Sequence, residues 1–174
     1  MIVFLEILKM TIPALVVFLT VYFLMKQYLE KEYQIKVLEY RQKHSRTTVP
    51  MKLQAYERLS LFCERISIPN LLLRLRSENQ NAGLLRFSML IAIQQEFEHN
   101  ITQQVYVSDQ LWQIVKISRD DTLNIINGVA EQIDPKAPGT EYATLLLKYL
   151  DSQDFTSLDK ALQAIKKEAG VLLG

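Results

Sequence analysis

The stretch "ILKMTIPALVVFLTVYFLM", residues 7–25, constrains this chain more than any other. Lys9 is its only charge. As a helix it would be about 28 Å long at 1.5 Å per residue, close to the ~30 Å hydrocarbon thickness of a bilayer. Lys9 stands near the start, where a long side chain can snorkel to the interface. Pro13 falls in an early turn, and membrane helices tolerate proline there. Tyr22 and Tyr28 suit interfacial positions. A cleaved leader wants a basic start and a small-residue cleavage site. The chain starts "MIVFLE", and no Ala-x-Ala follows the run. A core helix is seldom apolar on every face, and an interfacial one carries a charged face. The pattern therefore predicts a retained transmembrane anchor over residues 1–25.

Charge around that run predicts its orientation. Glu6, Lys9 and the terminal amine lie at or before its start. Lys26, Lys31, Lys36, Arg41, Lys43 and Arg46 follow it. The positive-inside rule then expects the N-terminus outside and the C-terminal bulk in the cytoplasm. A lone Cys63 excludes an intramolecular disulfide and suits a reducing compartment. The sequon Asn100-Ile101-Thr102 carries meaning only in an exported domain.

Residues 26–47 read as a basic juxtamembrane helix. The segment to residue 46 contains neither Gly nor Pro. Glu32 with Lys36, and Glu39 with Lys43, are helix-favouring i,i+4 pairs. Val21, Leu24, Tyr28, Ile35 and Leu38 fit a and d positions of a heptad, with Lys31 and Gln42 interrupting them. The pattern falls short of three or four sustained heptads, so the simpler reading is a single, partly solvated helix, with residues 21–42 a candidate self-association segment. Residues 26–46 are also a candidate contact for anionic lipid or nucleic acid, diluted by Glu30, Glu32 and Glu39. The net charge of +1 supplies no general field for nucleic acid, so that partner is not favoured.

The remainder, 48–174, reads as an all-α cytoplasmic domain of five or six helices. "SRTTVP" marks a break, with Thr48 a candidate cap and Pro50 in a first turn. Leu53, Tyr56, Leu59, Phe62, Cys63 and Ile66 form an apolar stripe over 51–66. Pro69 should stop that helix and Asn70 cap a short one carrying Leu71, Leu72, Leu73 and Leu75. "SENQNAG" is loop-like. A long helix from Leu84 carries Leu85, Phe87, Leu90, Ile91 and Phe97. Ser108 should cap the next, whose face holds Leu111, Trp112, Val115, Ile125, Ile126, Val129 and Ile133. "DPKAPG" is a turn cluster. Residues 140–150 form a further helix. Thr156 with Asp159 resembles a capping box for a last one carrying Leu158, Ala161, Leu162, Ile165, Ala169 and Leu172.

Chemistry is sparse. Glu96 and His99 have the Glu-x-x-His spacing of di-iron proteins, which need two such motifs and two further carboxylates. This chain has one motif. His44 is its only other histidine, and Arg41 stands where a second motif needs glutamate. Glu96 and His99 are therefore metal candidates only across a homodimer, with Glu57 and Glu64 the carboxylates available by type. The simpler reading puts both on a solvated helix edge. There is no Gly-rich phosphate loop, His-Glu-x-x-His pair or Gly-x-Ser-x-Gly elbow. No catalytic residue and no cofactor is assigned, and the chain reads as a non-enzyme.

The early "PAL", "LQAYERLSLFCERI" at 53–66, "NLLLR" at 70–74 and "EFEHNITQQVYVSDQLW" at 96–112 together resemble an uncharacterised family of bacterial membrane-anchored proteins. The resemblance covers most of the chain to about residue 130. It implies an inner-membrane location and an order of elements, but no activity and no site. The functional expectation is a membrane-anchored interaction module, an adaptor or accessory subunit of a larger complex. The alternatives are a metal-dependent enzyme built on Glu96 and His99, and a lipid or nucleic-acid binder acting through 26–46.

Overall fold

The computed structural model describes the backbone of residues 2–173. The side chains of residues 2–8, 10, 11, 14 and 41–47 lie outside the described set. The chain is all-α. It comprises α1 (Ile2–Ile66), α2 (Ile68–Leu75), α3 (Ala82–Asn100), a short 3-10 helix (Ile101–Val105), α4 (Asp109–Ala130), α5 (Gly139–Asp151) and α6 (Ser157–Leu173). It divides into two compact units, Met1–Thr48 and Val49–Gly174.

In the first unit the expected anchor is overturned. Among the described residues no helix is long and apolar enough to cross a membrane. The part of the expectation resting on residues 7, 8, 10, 11 and 14 lies outside the described residues. Lys36 does pair with Glu32, at 2.9 Å, and that bond raises the lysine's pKa, helped by the glutamate's charge. Lys43, His44 and Arg46 lie outside the described residues.

The backbone stays helical through "SRTTVP", where the sequence predicts a break. Pro50 removes one i→i−4 hydrogen bond. The residues just beyond it hold the next turns in place, because Ala55, Tyr56, Leu59, Phe62, Cys63 and Ile66 are all buried in the core.

The core of the second unit gathers those side chains with Leu71, Leu85, Met89, Ile93, Val115 and others from every α-helix. Pro69 opens α2 rather than ending α1. Ser67 is its N-cap residue, and the proline falls in its first turn, where a missing N–H costs nothing. Asn70 is not a cap; its Nδ2 donates to the Glu64 carbonyl at 2.8 Å. Asn81 caps α3 by accepting from Leu84 N at 2.8 Å. The buried face of α3 is Leu85, Met89, Ala92, Ile93 and Phe97, while Phe87 and Ile91 point outward. Ser108 caps α4, accepting from Leu111 N at 3.2 Å. Thr156 and Asp159 form the expected reciprocal cap, with Thr156 N donating to the carboxylate at 2.9 Å and Asp159 N donating to the hydroxyl at 3.2 Å.

The turn before α5 is tied to the start of α3. Gly139 N donates to the Gln80 carbonyl at 2.8 Å, and Ala82 N to the Ala137 carbonyl at 2.8 Å. A Cβ on Gly139 would stand 2.7 Å from the Gln80 oxygen. Only glycine permits that approach.

Candidate functional site

Glu96 and His99 share a turn of α3 and line one shallow hollow with Glu57, Arg58 and Arg65 of α1. Glu96 does not face solvent as expected, since its side chain is only 15% exposed. It bridges two guanidiniums, Arg65 at 3.2 Å and Arg74 at 3.3 Å. One carboxylate therefore joins α1, α2 and α3. Any metal ion there would compete with two fixed positive charges, so the environment selects against a cation. His99 Nδ1 is 3.1 Å from the Gln95 carbonyl of its own helix, at an exposed position. Glu57 and Glu64 are exposed. No group of three or more His, Cys, Asp or Glu side chains that could hold a metal ion occurs among the described residues. Within this chain Glu96 serves as an electrostatic staple.

Cys63 is buried, and burial pushes its thiol pKa up to about 12, with the Glu64 charge adding to the effect. A thiol held neutral is a poor nucleophile. It lies on the wall of a cleft of about 230 Å³ between α1, α2, α4 and α6, lined by Ile68, Ile125 and Leu162 among others. A second lobe of about 430 Å³ adjoins it, lined by Asp121, Gly128, Tyr149 and Phe155 among others. The two lobes share Ile125, Leu150, Thr156 and Ser157 as a common wall. No motif in the sequence pointed to this cleft, because its lining comes from separate helices.

Two polar clusters brace the neighbouring core. The Phe97 ring stacks on Trp112 with centroids 5.6 Å apart, and the Arg119 guanidinium lies 4.0 Å from the centre of the Phe97 ring. Tyr142 donates to the Ile126 carbonyl from full burial. Burial pushes its phenol pKa up to about 12. Such groups secure a fold rather than perform chemistry.

The other conspicuous surface belongs to the first unit. From Leu15 to Met25, Val, Leu, Phe, Tyr and Met side chains on every side of α1 are 43–69% exposed. Tyr28, Ile35 and Leu38 continue as exposed apolar positions beyond them.

No curated protein and no solved structure matches this chain. A family model, described as a family of unknown function (DUF7935), matches residues 2–172. That family brings no enzyme assignment and no site residues. The match spans nearly the whole chain, both units included, and the chain belongs to this family.

Proposed function

We propose that the protein is an interaction module that associates through the helical arm of its first unit and acts as an adaptor or accessory subunit of a larger assembly. The observation that carries this reading is the exposure of large apolar side chains at every position from Leu15 to Met25 but Thr20, with further exposed apolar positions at Tyr28, Ile35 and Leu38. Contiguous exposed apolar surface of this extent marks an interaction site.

The first occupant is a second copy of the same chain over residues 21–42. Val21, Leu24, Tyr28, Ile35 and Leu38 form the seam, about 26 Å long. Lys31 interrupts it at a d position, and a single charged core position fixes register at some cost in stability. Gln27 and Glu32 fall at g and e, where they can hydrogen-bond across a parallel pair. The all-round apolar surface of Leu15–Met25 calls for more than one neighbour, which suits a subunit of a larger complex.

Light scattering on the purified full chain tests this, comparing it with Leu24→Glu/Leu38→Glu. The expected result is an oligomer that the double substitution converts to a monomer of unchanged helicity. A monomeric unsubstituted chain, or one that associates only when lipid vesicles are supplied, would overturn the proposal.

A further inference from the structure

We infer that the two-lobed cleft of the second unit binds a small organic ammonium cation, with the apolar tail in the Cys63 lobe and the charged head in the Asp121 lobe. The size is suitable. An apolar cavity of roughly 150 Å³ admits benzene, so about 230 Å³ accommodates a tail of six carbons or so. Cys63, Ile68, Ile125 and Leu162 give that lobe an apolar wall. With its neutral thiol, Cys63 acts there as a small hydrophobic surface.

The second lobe supplies recognition of a positive charge. Tyr149 and Phe155 present partly exposed aromatic rings, and Asp121 adds a carboxylate. Aromatic faces and a carboxylate are the groups that recognise alkylammonium heads. Glu64 and Asp159 line the tail lobe, and no lysine or arginine is among the residues lining either lobe. The amino end of α6 also borders the cleft, and a helix start carries about half a positive charge. It is already answered. Asp159 accepts from Thr156 N, and Asp121 accepts from the Ser157 hydroxyl. Two carboxylates against half a charge leave the site negative.

Gly128 makes room for the head. A Cβ built there meets nothing within 4 Å, although the residue is inside α4 and lines the lobe. Larger side chains at this position can therefore fill the lobe while the helix and core remain intact.

The test is calorimetric titration of the full chain with hexyltrimethylammonium, hexanol and hexanoate. The cation should bind at least about tenfold more tightly than the alcohol, and the carboxylate more weakly still. Gly128→Leu should abolish binding of the cation at a melting temperature no lower than that of the unsubstituted chain. Phe155→Ala, at a position outside every helix, should weaken it several-fold. No binding of the cation, equal affinity for all three probes, or unchanged affinity in both variants would each overturn the inference. The oligomeric state does not enter these readouts, so they stand apart from the association proposed above.

Discussion

Glu168 of α6 accepts a hydrogen bond from the backbone nitrogen of Ser108 at 2.9 Å, sixty residues earlier in the chain. Its other oxygen takes the Ser108 hydroxyl, and Tyr56 of α1 donates to the first oxygen at 3.1 Å. A carboxylate from the last helix thus reinforces the cap of α4 and pins α1 to both. Negative charge at a helix start adds a favourable dipole term. Glu168→Ala should lower stability by about 1–3 kcal/mol, and Tyr56→Phe by about 0.5–1.5 kcal/mol. Urea denaturation followed by circular dichroism checks both. A loss for Glu168→Ala below that for Tyr56→Phe would contradict the ranking.

The Glu96 staple predicts a different pattern. Arg65 and Arg74 are 52% and 37% exposed in their side chains, so solvent screens both pairs. Each should couple to Glu96 by only about 0.5–1 kcal/mol. Glu96→Gln should cost about 1–2 kcal/mol, and His99→Gln less than about 0.5 kcal/mol. Double-mutant cycles of Glu96 with each arginine measure the coupling. A larger effect at His99 than at Glu96, or a melting temperature lowered by a chelator, would restore the metal reading.

Two glycines should respond in opposite directions to the same change. Gly139→Ala drives a methyl against the Gln80 carbonyl at 2.7 Å. It should destabilise by about 1–3 kcal/mol, as overpacking does. Gly128→Ala enters open space within a helix. It should stabilise by about 0.5–1 kcal/mol through helix propensity and a less free unfolded chain. Thermal melts of the two variants settle the sign of each.

Adjacent residues of α1 offer a similar contrast. Phe62 is 1% exposed and Leu61 54%. Phe62→Ala should cost about 3–5 kcal/mol, whereas Leu61→Ala should stay within about 0.5 kcal/mol. Similar losses at the two positions would mean that the stripe is misassigned.

Alkaline solution should reveal the buried phenols. Burial moves Tyr142 from an ordinary pKa of 10 to about 12. Burial, with the charge and hydrogen bond of Glu168 adding to it, does the same for Tyr56. A raised folded pKa contributes stability that is complete below the unfolded value and is lost as pH climbs through the folded one. Stability should therefore hold to about pH 10 and fall between about 10 and 12. Cys63, raised from 9 to about 12 by burial, adds a decline that starts nearer pH 9. Ellman's reagent at pH 8 should react slowly with the native chain and rapidly after denaturation. Denaturation midpoints that do not change between pH 9 and 11.5 would contradict the burial of these groups.

Much of the second unit was legible in the sequence because local rules decide it. The stripe at Tyr56, Leu59, Phe62, Cys63 and Ile66 is buried as its periodicity requires. The caps at Ser108 and Thr156 form where short hydroxyl side chains precede amphipathic runs. Proline misled twice. Pro50 read as the first turn of a new helix and Pro69 as a stop, but the first lies inside a helix held by tertiary packing and the second opens one. Phe87 and Ile91 show the limit of composition, since α3 is apolar on more than one side and only its neighbours decide which side is covered. The arginine partners of Glu96 are 22 and 31 residues away, and spacing within one helix cannot predict them. The apolar run at 7–25 misled for another reason. Hydropathy records that side chains avoid water, and it does not say what covers them.

Trp112 is the only tryptophan in the chain. Its indole is 8% exposed and stacked on Phe97, at the meeting of α3 and α4. The protein therefore carries a built-in optical reporter confined to the second unit. Its emission should shift to the red when that unit opens and stay constant while the apolar arm associates or separates. A single fluorescence channel can thus follow folding in one unit, leaving light scattering to follow assembly through the other.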